Sequence, residues 1–287
     1  MKKILVLGAS GLLAQPVVQA LTNAGFDITV GGRSADKLKG IFPGLKAVRA
    51  NAFNKDELVA AMQGQEIVYM NFSVEQDSRK SDPQPEREGV TNAVEAAKQA
   101  GVKRLVYLSS LVQNYEGMNG YRWWAFQIKH DAVKKIKDSG IPYTIFYPST
   151  FMETIPGNMI RGNKLMIASG SVAKMWFIAA SDYGKQVANA LRKEDGQNHE
   201  WLIQGLTGYD WNEAADIFIR HYSKPLKTMK APVPLVKVVG IFNQKANYGW
   251  HIMEALNKYP EQFESSRTWN ELGKPTVTLE QYAAGLG

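Results

Sequence analysis

Residues 1–16, Met-Lys-Lys-Ile-Leu-Val-Leu-Gly-Ala-Ser-Gly-Leu-Leu-Ala-Gln-Pro, constrain the fold more than any other stretch. The apolar run over residues 4–7 stops at Gly8 and gives way to an amphipathic stretch beginning near Gly11. That order describes a buried parallel strand, a glycine-rich turn and a helix. Gly8 permits the tight turn, Gly11 lets a pyrophosphate approach the backbone, and Ala14 lets the helix pack on the strand. The N–H groups of the first turn, around Ser10, Leu12 and Leu13, then face an anionic phosphate. Pro16 is tolerated only in that turn, so the regular helix should start no earlier than about Leu12. A secretory signal also begins with lysines and an apolar run. The interrupting small residues, and strand-like residues 26–30 at βαβ distance, argue against it.

The second strand runs into Gly31-Gly32-Arg33-Ser34. A fold selective for NAD places a carboxylate here for the adenosine ribose. Instead Arg33 and Ser34 occupy the turn and Lys37 lies one helical turn on, a set suited to a 2′-phosphate. The expected cofactor is therefore NADP(H). Residues 45–53 read as a third strand carrying Asn51 and Ala52 near its end. Asn54 and Glu57 then form a capping box that opens a helix ending near Gly64. Residues 66–73 read as the fourth strand, with Asn71, Phe72 and Ser73 at the carboxyl edge where open sheets bind ligands. A polar loop over 81–85, a helix over 86–100 and a fifth strand over 103–110 follow, the last ending in Ser109 and Ser110. A long loop holding Tyr115, Tyr121, Trp123 and Trp124 leads to a helix over 125–138 and a sixth strand over 142–148. Strands and helices alternating in this way specify an α/β fold with a doubly wound parallel sheet.

Several of these stretches together resemble the atypical and extended short-chain dehydrogenase/reductase superfamily, nearest its NmrA-like and isoflavone-reductase-like branch. The resemblance rests on Gly8-Ala-Ser-Gly-Leu-Leu-Ala14, on Arg33, and on Ala100-Gly-Val-Lys-Arg-Leu-Val-Tyr-Leu-Ser-Ser110. It continues in Lys129 and in residues 139–154, Ser-Gly-Ile-Pro-Tyr-Thr-Ile-Phe-Tyr-Pro-Ser-Thr-Phe-Met-Glu-Thr. It implies a Rossmann-type sheet, Lys129 on the nicotinamide ribose, and Tyr147, Pro148 and Ser149 beside the cofactor. The usual catalytic pair of that superfamily is Tyr-x-x-x-Lys, but Ala125 stands four residues before Lys129. The Arg-Pro usual after the sixth strand is Tyr147-Pro148. Members of the branch often lack the tyrosine, and some bind NADP(H) as sensors without turnover.

Past Pro148, residues 164–168 and 200–204 read as strands, with a helix over 182–192 between them. Asp182 falls where the superfamily places an N-cap acid. Residues 210–221 are amphipathic, 232–257 read as a mostly apolar helix, and 274–281 as a turn and short terminal helix. The expected division is a dinucleotide-binding domain over 1–150 and a smaller C-terminal substrate lobe over 151–287, with part of 164–205 returning to the sheet. Residues 217–253 hold Arg220, Lys224, Lys227, Lys230, Lys237 and Lys245 and no carboxylate. Such a run suits a membrane surface or an acidic ligand. More often it is a solvated face beside a packed helix, so membrane contact is not expected.

With 45% hydrophobic and 21% charged residues, the chain has the balance of an ordinary globular protein. The absence of cysteine excludes disulfides, thiolate catalysis and zinc–thiolate sites. His130, His199, His221 and His251 lack metal-ligand spacing, so no metal is expected. The net charge of +7 suits an anionic ligand and is too dispersed to argue for nucleic acid. No 18-residue apolar window exists. A cytoplasmic monomer or homodimer acting on a small molecule is the expectation.

Hydride transfer needs a nicotinamide beside a carbonyl, quinone or alkene, and a proton source near the developing oxyanion. Ser109 and Ser110 can donate there, while Lys129 should hold the ribose and keep the potential positive. Tyr121, or its rival Tyr115, can substitute for the missing phenol, although packing on the lobe is the commoner role of a loop aromatic. Trp123, Trp124, Phe151 and Met152 form either an apolar slot for an aromatic or quinone substrate or an interdomain core. Three functions stay open: an NADPH-dependent reductase of a small quinone, enone or aromatic carbonyl, a non-catalytic NADP(H) sensor, and a sugar-nucleotide epimerase or dehydratase. The last needs the tyrosine that Ala125 replaces, and Ser109, Lys129 and the aromatic slot favour the reductase. Because a charge-assisted bidentate contact contributes about 1.5–3 kcal/mol, Arg33→Ala should erase most of a tenfold to hundredfold preference for NADPH over NADH. Fluorescence titration with both cofactors measures it, and equal affinities in the unmutated chain would refute the role of Arg33.

Overall fold

The first strand, β1 (Lys3–Leu7), is an interior strand of the main sheet in a computed structural model that describes residues 1–168, 173–193, 195–259 and 261–286. Ile4 and Val6 enter the apolar layer on one face of the sheet, Leu5 and Leu7 the layer on the other, and all four are fully buried. Burial on both faces explains why this run is continuously apolar rather than alternating. The chain continues through α1 (Ala14–Asn23), β2 (Asp27–Gly32), α2 (Ala35–Ile41), β3 (Lys46–Arg49), α3 (Lys55–Met62) and β4 (Ile67–Met70). Next come α4 (Val90–Ala100), β5 (Arg104–Leu108), α5 (Trp124–Lys137) and β6 (Tyr143–Pro148). Two short strands, β7 (Ile160–Arg161) and β9 (Met175–Trp176), flank β8 (Lys164–Ala168), and α6 (Ala180–Arg192) leads to β10 (His199–Ile203).

Among the described residues, seven strands pair in parallel in the order β10-β6-β5-β4-β1-β2-β3. This is the expected Rossmann-like sheet, with β10 returning to its edge. The order reverses between β1 and β4, which makes the crevice at their carboxyl ends the switch point of the sheet. Strands three, four and five are shorter than their apolar and polar-ended runs suggest. As a result Asn71, Phe72, Ser73, Ser109 and Ser110 lie beyond the strand ends, in the loops that face the crevice.

The remaining chain builds a second core. It comprises β11 (Gly208–Tyr209), α7 (Trp211–His221), β12 (Lys227–Ala231), α8 (Val233–Gly240), α9 (Gln244–Lys258), α10 (Ser266–Leu272) and α11 (Leu279–Ala284). β12, unanticipated in its lysine-rich stretch, pairs in parallel with β8. The single helix expected over 232–257 is two, because Asn243 caps α9 by accepting from the Ala246 N–H at 3.0 Å. No helix among the described residues is long and apolar enough to cross a membrane.

Two caps differ from expectation. Asn54 accepts from the Glu57 N–H, but the Glu57 carboxylate turns to the Asn51 N–H at 3.0 Å and to Arg49, so the box is half formed. The acid at the start of α6 is Glu153, whose Oε1 accepts from the Ala180 N–H at 3.0 Å. Asp182 sits inside the first turn and receives the Thr276 and Val277 N–H groups, each at 2.7 Å, which straps the C-terminal segment to α6.

Glu261 joins the second core to the sheet, accepting from Ser149 Oγ at 2.7 Å and from Gln204 Nε2 at 2.5 Å. Burial pushes its carboxyl up to about 7, against the pull of those hydrogen bonds. A raised acid contributes stability that is complete below its unfolded value and is lost as pH rises through the folded one. The unfolding free energy of the unmutated chain, relative to Glu261→Gln, should therefore fall by about 2–3 kcal/mol between pH 4 and pH 8. Denaturant titrations of both chains across that range measure the difference, and a flat difference would show that Glu261 does not titrate there.

Candidate functional site

Gly8 adopts φ +72°, and a Cβ there would collide with the Asn71 carbonyl oxygen. Glycine is needed for both reasons. At Gly11 a Cβ would come within 2.8 Å of Asn71 Nδ2, so this glycine makes room first for the asparagine amide. The Gly11 N–H returns to the Gly8 carbonyl at 3.0 Å, and α1 begins at Ala14 without a side-chain cap. The Ser10, Leu12 and Leu13 N–H groups consequently have no protein acceptor among the described residues. Asn71 Oδ1 is buried beside them without a partner. Three unsatisfied donors at a helix start, at the switch point, fit a dinucleotide pyrophosphate, while Asn71 Oδ1, an acceptor, suits a ligand hydroxyl or amide and not the anion.

Along the crevice, Arg33 follows β2, exposed and without an ion pair among the described residues. The Ser34 hydroxyl caps α2 by accepting from the Lys37 N–H, while the Lys37 side chain is exposed. Asn51 uses its side chain on the Phe53 N–H at 3.2 Å, and the Ala52 carbonyl accepts from Asn92 at 3.0 Å. Phe72 is buried in the core beneath the crevice, whereas Ser73 is exposed at its lip.

At the other end, Ser109 Oγ is buried without a partner just past β5. Ser110 starts the following turn, its hydroxyl accepting weakly from the Val112 N–H at 3.4 Å. Lys129 Nζ lies 2.5 Å from Glu86 Oε1, with the lysine side chain 14% exposed and the glutamate fully buried. Tyr107 donates to the same oxygen at 2.8 Å, and the Val74 N–H reaches Oε2 at 3.0 Å. Glu86 is carried by a π-helical turn, Pro85–Gly89, that opens into α4. Its carboxylate opposes the positive potential expected of Lys129, which corrects that part of the sequence reading. Burial and the Glu86 charge also push the phenol of Tyr248, on α9, above its ordinary value. Neither Glu86 nor Tyr248 stands out in the sequence. An acid in a first helical turn reads as a partner for the helix dipole, and nothing local marks it as buried.

Other expected site residues are used elsewhere. Tyr121 donates to the His251 carbonyl at 2.9 Å and lies near its Nδ1, so its hydroxyl is committed to α9. Burial holds the His251 imidazole down at about 4, and the ring stacks on Trp123 at 4.8 Å. Tyr115 stacks on Tyr259 at 5.2 Å. Phe151 packs on Tyr183 at 5.4 Å in the core of the main sheet, and Met152 is buried in the second core, so both are interior residues and not a slot. Trp124 is half-buried against Trp123. Tyr147 turns to β10 and donates to Glu200 at 2.6 Å, Pro148 ends β6, and Ser149 is engaged by Glu261. No cluster of metal-ligating side chains occurs among the described residues.

A parallel sheet whose switch point carries a glycine turn with unsatisfied amides defines a dinucleotide-binding protein of Rossmann type. The family model described as NAD(P)H-binding matches residues 8–196, and the chain belongs to that family. It is 26% identical over 211 residues to YhfK, an uncharacterized sugar epimerase of Bacillus subtilis, spanning 71% of this chain and 95% of the relative. Its fold is similar to that of the NADPH-dependent quinone oxidoreductase QOR2 of Escherichia coli, solved with NADPH, at a TM-score of 0.77, 22% identity and 99% of each chain. The triphenylmethane reductase of Citrobacter sp., solved with NADP(H), matches at a TM-score of 0.77 and 18% identity over 98% of this chain and 99% of that one.

Removing one member of a buried ion pair strands the other's charge, at a typical cost of about 3–5 kcal/mol. Glu86→Gln and Lys129→Met should each destabilise the fold, Lys129→Met less because Tyr107 and Val74 still serve the carboxylate. The double variant should lose less than the sum of the two, with a coupling of at least about 1.5 kcal/mol in a denaturant-based mutant cycle. Additive losses would show that the pair is not formed.

Proposed function

We propose that the chain is an NADPH-dependent oxidoreductase that reduces a small quinone, enone or aromatic carbonyl by hydride transfer. One observation carries the reading: the buried, unpartnered Ser109 hydroxyl just past the carboxyl end of β5, the strand whose Tyr107 shares Glu86 with Lys129. When bound, the reduced dinucleotide supplies a hydride. The Ser10, Leu12 and Leu13 amides hold its pyrophosphate, and Arg33 and Lys37 hold the adenosine 2′-phosphate. Lys129, steadied by Glu86, donates to the nicotinamide ribose. Ser109 donates to the substrate oxygen as it becomes negative, the point at which a preorganised donor is most effective. Ala125 offers no phenol and Tyr121 is bonded to His251, so the arrangement suits acceptors that need no precisely placed acid. A quinone is one, since water can supply the proton that completes the hydroquinone.

The epimerase reading lacks its tyrosine, because Ala125 is 2% exposed within the second core. A non-catalytic NADP(H)-responsive regulator is the second reading, favoured by the Glu86–Lys129 and Tyr121–His251 contacts that withhold two donors from a substrate. NADPH oxidation followed optically against quinones, enones and aromatic aldehydes separates the two. For the oxidoreductase, Lys129→Met should lower kcat/KM at least ~10²-fold in folded enzyme, about 2.7 kcal/mol of transition-state stabilisation. Turnover insensitive to that change would discard the site assignment. Tight NADPH binding without turnover of any acceptor would favour the regulator.

A further inference from the structure

Five of the large apolar side chains that the described chain exposes fall within eight consecutive positions. Leu235, Val238 and Val239 lie on α8, and Ile241 and Phe242, 69% and 88% exposed, form the turn into α9. α8 leans on α9 at its last residue, the buried Gly240. A Cβ on Gly240 would meet Trp250 at 2.9 Å, and Lys237 lies over the Trp250 ring at 4.8 Å. The outer side has no cover among the described residues, and its tip protrudes at a helix-to-helix turn instead of lining a groove. Directly before it, β12 exposes Lys227, Met229 and Lys230, and Lys224 precedes them. Lys224, Lys227 and Lys230 make no ion pair among the described residues, and residues 217–253 contain no carboxylate.

We propose that α8 and the Ile241–Phe242 turn dock on an anionic phospholipid surface. The inference stands apart from the oxidoreductase reading and does not depend on it. A solvated basic face, the commoner fate of such a sequence, carries lysines without a row of bare aliphatic and aromatic side chains. A contiguous exposed apolar patch marks an interaction site. A second copy of this chain would bring the same uncompensated lysines against themselves, which opposes self-pairing. An exposed apolar row that follows a lysine-bearing strand and itself carries Lys237 fits a bilayer interface, where the apolar groups enter the headgroup boundary and the ammonium groups meet lipid phosphates.

Vesicle flotation of the full chain tests this. It uses phosphatidylcholine vesicles alone or with about one third phosphatidylglycerol, at about 0.1 M and about 1 M salt. Partitioning should be at least ~10-fold greater on the anionic vesicles, and most of that gain should disappear at high salt. An Ile241→Ser/Phe242→Ser double variant and a Lys227→Glu/Lys230→Glu double variant should each lower anionic partitioning at least ~10-fold while melting like the unmutated chain. Equal partitioning to both vesicle types, or to neither, overturns the proposal. So does light scattering that shows a dimer dissolved by the Ile241→Ser/Phe242→Ser change in a chain that ignores vesicles, which would assign the face to a second copy.

Discussion

Glu86 lies where no water reaches it, and a carboxylate can stay charged there only if donors surround it. It has three: the Lys129 ammonium from α5, the Tyr107 hydroxyl from β5 and the Val74 N–H from the loop after β4. Three separate segments of the fold thus converge on one side chain, delivered by a π-helical turn. An ion pair of this kind is poor evidence of added stability, since desolvation offsets much of the attraction. What it secures is geometry. Lys129 can occupy few positions while Glu86 holds it, and the loop that carries Asn71 toward Val74 is tied to the same point.

The two ends of the crevice differ in how far their polar groups are satisfied. Around Gly8 and Gly11 the amides of Ser10, Leu12 and Leu13 and the Asn71 side chain face the crevice without partners. Unpaired groups of this kind destabilise a protein that keeps them empty, so they point to a ligand that completes them. Around Lys129 the reverse holds, because carboxylate, phenol and ammonium already satisfy one another, and Ser109 alone of that group keeps an unused buried hydroxyl. One end is built for binding, and the other is held rigid around a single donor.

The centre of the sheet was legible because β1, β4 and β5 are buried on both faces, which writes them as short, mostly apolar runs, whereas the edge strands β3 and β10 are partly exposed. Strand ends were less so: Asn71 and Ser109 look like strand residues, yet pairing stops before each and leaves them in the crevice loops. Periodicity read 232–257 as one helix because apolar spacing carries across Gly240, and only the Asn243 cap reveals the break. Phe151 and Met152 have the composition of a substrate slot, but composition cannot separate a slot from an interior wall. Glu86 was hidden for another reason, since its burial is produced by residues far along the chain. The aromatic cluster of Tyr121, Trp123 and His251 likewise depends on α9, 130 positions from Tyr121.

Ala125 carries a steric consequence. Its methyl group is enclosed in the second core, among the same cluster that holds Tyr121 and Phe126. A tyrosine at that position would force a phenol ring into filled space, and overpacking of this sort disturbs neighbouring side chains and backbone. Accommodating the ring would require coordinated changes in the neighbouring side chains. The space at position 125 is therefore shaped for a methyl group, and a phenol there is sterically barred.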